Sequence, residues 1–278
     1  MMGTILVTGG AGFLGREVVK MLLDRGQLVR MVVRQGAVIE ADVESRLEGL
    51  IYTQDLFAEE FDSLLQMCTN VDSILHLAWY VNHNDYLYSD KNMACVTGTL
   101  RLGEAAKHAC VRRFIGVGTC LEYKFSEHKL TVNDDLLPQT PYAVSKAATF
   151  SLLSRYFKDT VDFIWCRVFF LYGEGEDSAK ISSYIKNSLK QDKIVEIKNG
   201  KQIRDFIEVR VAARQIVDET LSKRSGPVNI STGVGISVKD FAQGIAKELG
   251  KEHLLKFNIK ANEKSDEDYI VGANINLT

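Results

Sequence analysis

The hydrophobic positions of this chain fall into short apolar runs separated by stretches with helical spacing. Thr4–Val7 is apolar and partly β-branched, which predicts a strand, and residues 16–25 carry apolar side chains at helical intervals. Leu28–Val33 is almost wholly apolar, as expected of a strand buried on both faces. Ile51–Thr53 and Ser73–Ala78 supply the next strand-like runs. Val38–Leu50 before them is interpreted as an acidic, loosely helical connector, and Phe57–Met67 between them predicts a helix.

The same alternation continues to residue 168. Asn92–His108 and Tyr142–Phe157 have helical periodicity, and Arg113–Gly118 and Asp162–Val168 predict strands. Because strands and helices alternate, we expect an α/β fold with a Rossmann-type, doubly wound parallel sheet. His76, inside one apolar run, is interpreted as a core histidine whose hydrogen bonds are satisfied.

After residue 168 the pattern loosens into shorter segments. The predicted pieces are Ile181–Leu189, Ile194–Ile197, Ile203–Ile207, Val209–Leu221, Val228–Ile230 and Val238–Leu249. We expect a dinucleotide-binding core over residues 1–168. Residues 169–278 should form mainly a smaller substrate-binding lobe over the carboxyl edge of the sheet, with parts returning to the core.

Four glycines follow the first predicted strand, in the segment Thr8–Gly15. Gly9, Gly12 and Gly15 would let the backbone turn tightly and approach a pyrophosphate, and Phe13 and Leu14 would open a helix whose N–H groups face the phosphates. The spacing differs from the commoner Gly-x-Gly-x-x-Gly pattern, and a glycine turn also occurs without a ligand. Its strand-turn-helix context favours a dinucleotide.

The end of the second predicted strand bears on the choice of cofactor. A carboxylate at this place favours NAD, whereas an arginine accommodates the additional phosphate of NADP. The chain has Arg34 followed by Gln35, with no acid at the tip. We therefore expect NADP(H) in preference to NAD(H), although a strand-end arginine is often only solvated.

Composition excludes several classes of protein. At 278 residues and 46% hydrophobic content the chain can bury a large core, and a formal charge of −2 gives no footprint for nucleic acid or an anionic membrane. A strand-like run begins almost at Met1, so we expect no signal peptide, and without long apolar stretches we expect no membrane span. We therefore expect a cytoplasmic protein. Five scattered cysteines argue against disulfides and against a metal site.

Thr140–Lys146 holds the candidate catalytic pair. Thr140 suits an N-cap and Pro141 a first helical residue, so Tyr142 and Lys146 should lie one turn apart on one helix face. An ammonium near a phenol stabilises the phenolate and lowers the pKa of the tyrosine, which then exchanges protons. The same spacing also occurs by chance on solvated helices.

Taken together, these motifs resemble the extended short-chain dehydrogenase/reductase family, in its nucleotide-sugar epimerase, dehydratase and ketoreductase branch. The matching segments are Thr8–Gly15, Asp55–Leu56, His76–Ala78, Gly98–Thr99, Thr119 with Tyr123, Tyr142 with Lys146, Arg167 with Tyr172–Gly173, and Arg204–Ile207. They span nearly the whole chain.

The resemblance implies roles for individual residues. Thr119, Tyr142 and Lys146 would form the catalytic triad, in which threonine orients the reacting oxygen, tyrosine transfers its proton, and lysine holds the nicotinamide ribose. The cofactor would also contact Asp55 and Leu56 at the adenine and Leu77, Ala78, Trp79 and Phe169 along its path. Substrate contacts are expected at Val81, Asn82, Phe170 and Arg204, the last gripping a diphosphate unless it only forms a salt bridge between lobes.

Departures from the family pattern reduce the number of candidate reactions. Cys120 and Leu121 stand where dehydratases carry aspartate and glutamate, so sugar 4,6-dehydration is disfavoured. The residue pattern of the 3,5-epimerase/reductases is also incomplete, and Cys120 is interpreted as a small buried residue. Cys95 and Phe170 replace family asparagines, which puts the substrate identity in doubt.

From these observations we expect a 4-ketoreductase acting on a nucleotide-activated deoxysugar. A 4-epimerase with tightly held NAD is the nearest alternative, and a redox-sensing binding protein without catalysis ranks last. The resemblance further implies a homodimer through the helices Asn92–His108 and Tyr142–Phe157. Family members continue through another helix after a segment like Val271–Thr278, so either the lobe is short or the chain stops early.

Overall fold

The computed structural model describes residues 3–198, 200–257 and 269–273. Its strands in chain order are β1 (Thr4–Thr8), β2 (Leu28–Arg34), β3 (Gly49–Thr53), β4 (Ser73–His76), β5 (Arg113–Thr119), β6 (Asp162–Val168), β7 (Phe170–Tyr172), β8 (Val195–Ile197), β9 (Ile203–Arg204), β10 (Phe206–Glu208), β11 (Gly226–Ile230), β12 (Ile236–Ser237), β13 (Leu255–Phe257) and β14 (Tyr269–Ile270). Its α-helices are α1 (Phe13–Asp24), α2 (Ala41–Glu44), α3 (Phe61–Cys68), α4 (Lys91–His108), α5 (Pro141–Tyr156), α6 (Ile181–Lys190), α7 (Val209–Leu221) and α8 (Val238–Glu248).

Seven parallel strands form the main sheet, in the spatial order β3-β2-β1-β4-β5-β6-β11. The order runs one way from β1 to β3 and the other way from β4 onward, so a switch point lies between β1 and β4. Ligands of such sheets bind outside the carboxyl ends of the strands at this point. The predicted doubly wound α/β fold of Rossmann type is confirmed.

Helices cover both faces of the sheet. On one face α1 and α7 bury Leu22 and Ile216 against the strands, and on the other α4 and α5 bury Leu102 and Leu153. The strands are apolar on both sides because each face packs against a helix layer.

Two predicted boundaries differ from the structure. The helix expected over 57–67 begins only at Phe61, because Leu56–Ala58 forms a separate 3-10 turn and Glu60 is extended (ψ 156°) before α3. The loosely helical connector over 38–50 contains only the four-residue helix α2, and β3 already starts at Gly49.

The second lobe is built from small sheets. β7 pairs with β10, β8 pairs with β13, and β9 lies between β12 and β14. Ile185, Val195 and Ala242 belong to the cluster that packs α6 and α8 against these strands. α7 and β11 instead return to the main sheet, where β11 pairs with β6. The last residues of the segment Val271–Thr278, from 274 onward, lie outside the described residues.

Candidate active site

The turn after β1 has a shape that only glycine permits. Gly9 has a φ of 73°, and a Cβ on it would lie 2.6 Å from the amide nitrogen of Ala78. A Cβ on Gly15 would lie 2.1 Å from the Gly9 carbonyl oxygen. The turn therefore keeps β1, α1 and the end of β4 in close contact, and a side chain would fill this space.

The start of α1 is suited to an anion. Gly12 is the N-cap, no side chain caps the helix, and the first turn contains no acidic residue. The backbone N–H groups at the start of α1, among them those of Phe13 and Leu14, are thus left for another acceptor. These features fit the pyrophosphate of a dinucleotide, which is the group that the sequence predicted here.

His76 joins the glycine turn to α4. Its Nδ1 lies 2.8 Å from the Thr8 hydroxyl and its Nε2 lies 2.9 Å from the Thr99 hydroxyl, deep in the core. Burial, together with the charge of Lys146, lowers the pKa of His76 to about 3, so the ring is neutral. The interpretation of His76 as a satisfied core histidine is confirmed.

Thr119 ends β5 and starts a short 3-10 turn, Cys120–Glu122. Its hydroxyl accepts a hydrogen bond from the Leu121 amide, and its own amide donates to the Glu122 carboxylate at 2.8 Å. These reciprocal bonds form a capping box, which fixes the orientation of Thr119 at the carboxyl edge of the sheet.

A buried charged network lies behind Thr119. Glu122 is fully buried, accepts a bond from Arg167 Nε at 2.9 Å, and also accepts the indole N–H of Trp165. Arg167 donates further to the Tyr123 hydroxyl, which donates to Asn229 Oδ1 at 2.6 Å. Burial raises the pKa of the Glu122 carboxyl, while Arg167 and the N–H donors oppose that rise.

Tyr142 stands beside Thr119 at the start of α5. Thr140 caps the helix by accepting a bond from the Ala143 amide at 3.2 Å, and Pro141 is the first helical residue, as predicted. The Thr119 side chain lies near the Tyr142 phenol and acts to lower its pKa. The ring of Tyr86 meets that of Tyr142 edge-on, with their centroids 4.9 Å apart.

Lys146 lies one turn further along α5 and is only 3% exposed. Its Nζ donates to the Val117 carbonyl at 2.6 Å and lies 3.8 Å from the centroid of the Trp79 ring. Burial lowers the pKa of Lys146 to about 7, although the charges of Glu122 and Cys95 oppose this.

The sequence predicted that Lys146 lowers the pKa of Tyr142, and the structure contradicts this prediction. Burial raises the pKa of the Tyr142 phenol, and the neighbouring Tyr86, Glu122 and Cys120 add to the rise. Lys146 Nζ lies 6.0 Å from the centroid of the Tyr142 ring and is directed toward Val117 and Trp79. Because desolvation outweighs the distant ammonium, the phenol is in its protonated form at neutral pH.

The two cysteines of the site are buried thiols. Cys120 packs behind Thr119, and burial raises its pKa to about 12, in agreement with its interpretation as a small buried residue. Cys95, in the place of a family asparagine, accepts a hydrogen bond from the Tyr80 amide at 3.4 Å. The five cysteines are free, and no cluster of metal-ligating side chains occurs among the described residues.

The predicted adenine side lies at the far end of the sheet. Arg34 is exposed at the tip of β2, and Leu56 is buried. Asp55 caps the 3-10 turn by accepting a bond from the Phe57 amide at 3.0 Å. Leu77 and Ala78 are held to β1, because their amides donate to the Thr8 carbonyl and the Thr8 hydroxyl.

The predicted substrate residues are dispersed. Val81 and Asn82 lie exposed on the loop after β4. Arg204 is buried on β9, with its guanidinium 5.3 Å from the Phe170 ring centroid and its charge acting on Cys120. Phe169 is 4% exposed and packs in a cluster with Cys120 and Ile270, so its side chain belongs to the core behind the site.

Several residues of the site were not predicted from the sequence. Glu122, Trp165, Tyr86 and Asn92 contact or support the predicted triad, yet none was identified as functional. A signal existed for Glu122, because Thr-x-x-Glu after a strand is the pattern of a capping box. The aromatic residues carry no comparable local pattern.

This geometry defines a class of protein: a nucleotide-binding oxidoreductase with a threonine, a tyrosine and a lysine at the carboxyl edge of a Rossmann sheet. The model of the NAD dependent epimerase/dehydratase family matches residues 5–229, and the chain belongs to that family. The described part of the chain contains no helix long and apolar enough to cross a membrane.

Individual relatives differ in the reactions they are named for. The chain is 26% identical over 269 residues to the dTDP-6-deoxy-L-talose 4-dehydrogenase (NAD(+)) of Aggregatibacter actinomycetemcomitans, covering 93% of each chain. It is 25% identical to a putative UDP-glucose 4-epimerase of Methanocaldococcus jannaschii, covering 88% of this chain and 82% of the relative. Its fold matches a UDP-N-acetylglucosamine 4-epimerase from Methanobrevibacter ruminantium M1 with a TM-score of 0.84 at 20% identity, covering 100% of this chain and 91% of that one.

Proposed function

We propose that this protein reduces the 4-keto group of a nucleotide-activated deoxysugar with a nicotinamide dinucleotide as cofactor. The observation that carries the proposal is the neighbouring pair Thr119 and Tyr142, with Lys146 one turn away, at the carboxyl end of β5. Membership of the family and the likeness to a sugar-nucleotide 4-dehydrogenase support it. When bound, the cofactor would supply the hydride.

The protein's own groups would handle the proton and the orientation. Burial keeps the Tyr142 phenol protonated, which is the form needed to donate a proton to a carbonyl oxygen. Thr119, fixed by its capping box, would hold the same oxygen by a hydrogen bond. Lys146 would hold the nicotinamide ribose, and Gly9, Gly12 and Gly15 would leave room for the pyrophosphate.

The residues beside Thr119 favour reduction over dehydration. Leu121 cannot titrate, and the buried Cys120 thiol has a pKa of about 12, so neither would serve as the acid of a leaving hydroxyl. Glu122 is fully buried, and its carboxylate is bonded to Arg167 and Trp165. Elimination of water from the sugar would therefore lack its acid and base.

The test of this proposal is Tyr142→Phe. We expect turnover to fall by about 10²- to 10⁴-fold while cofactor affinity stays within about twofold, since only the proton donor is removed. Tyr156→Phe is the matched control, because Tyr156 is an exposed tyrosine at the end of the same helix. Undiminished turnover in Tyr142→Phe would reject the assignment of the acid.

For the cofactor we propose NADP(H) in preference to NAD(H), because Arg34 is exposed at the tip of β2 with no acid on that strand. The family description and the name of the talose 4-dehydrogenase point to NAD, so the preference is open to direct measurement. We expect NADPH to raise the unfolding temperature more than NADH at equal concentration. If NADH raised the unfolding temperature more than NADPH, the proposed preference for NADP(H) would be wrong, but the proposed reduction would still stand.

A 4-epimerase is the second candidate, supported by the likeness to the putative UDP-glucose 4-epimerase. Such an enzyme would retain its nicotinamide cofactor through purification and need none added. The absorbance of the supernatant after denaturation distinguishes the two functions.

We also propose that the protein works as a cytoplasmic homodimer. The five free cysteines fit a reducing compartment. Met93 on α4 and Val144 and Leu152 on α5 are exposed apolar side chains on two helices that pack side by side. A second copy would cover them, and the molar mass in solution measures this.

A further inference from the structure

Two groups from outside its own helix lie nearest to the ammonium of Lys146, and the Trp165 ring centroid follows at 5.9 Å from Nζ. One is the Val117 carbonyl on β5, at 2.6 Å from Nζ. The other is the face of the Trp79 indole, at 3.8 Å from Nζ to the ring centroid, just beyond the end of β4. Because the side chain is nearly inaccessible to water, these two contacts replace much of its hydration.

The indole is itself held in place. Trp79 Nε1 donates to Asn92 Oδ1 at 2.9 Å. Asn92, buried in the first turn of α4, donates through Nδ2 to the carbonyls of Tyr86 and Ser89 at 2.7 and 2.9 Å. With both ends of its amide bonded, Asn92 cannot turn freely, and the ring plane of Trp79 is fixed toward the lysine.

A fixed aromatic face matters to a buried cation. Desolvation disfavours the ammonium form, whereas a ring face within ~6 Å attracts it, by up to ~2 kcal/mol where water is excluded. The other titratable groups around Lys146 are Glu122 and Cys95, whose charges favour the ammonium, the neutral His76, and Tyr142. The Glu122 carboxylate is already bonded to Arg167 and Trp165, so after the Val117 carbonyl the indole is the nearest group that favours the charged lysine.

We propose that Trp79 is a positioning residue that acts through Lys146, with its indole face keeping the ammonium charged and in one place. The inference deepens the proposed function, since it assumes that Lys146 holds the cofactor ribose. It differs from the expectation that Trp79 lines the cofactor path itself, because Trp79 then contributes to cofactor affinity only by way of the lysine.

A double-mutant cycle separates these two roles. The variants are Trp79→Leu, Lys146→Met and the pair combined, and the readout is the Kd for NADPH and NADH from nicotinamide fluorescence. We expect Trp79→Leu to weaken binding about tenfold and Lys146→Met to weaken it at least as much. The combined variant should bind no more weakly than Lys146→Met alone. Trp79→Phe, which keeps a ring face, should recover most of the affinity.

The pH dependence gives a second readout. Without the indole the ammonium is less stable, so the pKa of Lys146 falls and cofactor affinity in Trp79→Leu should be lost at lower pH than in the wild type. In the Lys146→Met background the substitution Trp79→Leu should leave the pH profile unchanged. If Trp79 had only a structural role, replacing it would not shift the pH at which cofactor affinity is lost.

Three outcomes would decide against parts of the argument. Additive losses in the cycle would overturn the inference, since Trp79 would then act on the cofactor independently. An unchanged Kd in Lys146→Met would instead overturn the proposed role of the lysine. Should Trp79→Leu fail to fold, Trp79→Met replaces it in the cycle, and additive losses there would equally overturn the inference.

Discussion

The two sides of the proposed catalytic site, a reaction side around Thr119 and a substrate side around Arg204, are built in different ways. On the reaction side, Thr119 ends a seven-residue strand in the middle of the main sheet, and a buried network of Glu122, Arg167 and Trp165 supports it. On the substrate side, Arg204 lies on a two-residue strand and Asn82 on an exposed loop. The first arrangement fixes a geometry, whereas the second leaves more freedom.

This difference has a physical origin. The reaction side is held by long strands paired on both edges and by charged hydrogen bonds in a medium from which water is excluded, where such bonds are strong. The substrate side depends on short strands and on contacts such as that between Arg204 and the Phe170 ring. We infer that substrate preference can change on the substrate side without disturbing the proton-transfer groups.

The largest effect should follow from breaking the network on the reaction side. In Glu122→Gln the buried Arg167 loses its counter-charge, and we expect a loss of about 3–5 kcal/mol in the free energy of unfolding, measured by urea denaturation. Turnover should fall as well, because the glutamine NH2 group would meet the Arg167 N–H donor and displace the side chain that orients Thr119. Glu252→Gln, at an exposed glutamate, serves as the control. An unchanged stability would mean that the network adds no rigidity, and the contrast between the two sides would fail.

A smaller effect is expected at the glycine turn. In Gly15→Ala the new methyl group would lie 2.1 Å from the Gly9 carbonyl oxygen and 2.8 Å from Gly10 Cα, so backbone atoms must shift. We expect about 1–3 kcal/mol of destabilisation and weaker cofactor binding. Gly244→Ala is the matched control, since nothing lies within 4 Å of its Cβ position in α8. That change should stabilise the protein by up to about 1 kcal/mol. Equal effects at both glycines would contradict a close-packed turn.

The smallest effect on stability belongs to the substrate side. Arg204→Lys keeps the positive charge but removes the planar fork, so we expect the KM for a nucleotide sugar to rise about tenfold. The free energy of unfolding should change by less than about 1 kcal/mol, as determined in the same urea titration. A loss of stability as large as that of Glu122→Gln would show that Arg204 is part of the rigid framework.

Much of this arrangement could be predicted from local patterns. The apolar runs predicted the strands, and Thr140 with Pro141 predicted the start of α5 to the residue, since capping depends on neighbours in sequence. The state of the catalytic groups could not be predicted in this way. A nearby lysine suggested a lowered pKa for Tyr142, yet burial raises it and the neighbouring Tyr86 adds to the rise.

The amino-acid sequence by itself determined the order of strands and helices, the glycine turn and the spacing of Tyr142 and Lys146, because each depends on residues within a few positions of one another. Only the tertiary structure decided which partners those side chains meet. Trp79 and Val117, far from Lys146 in sequence, surround its ammonium, and Arg167 reaches Glu122 across the sheet. Desolvation and long-range contacts set the charge states, and both arise only when the chain has folded.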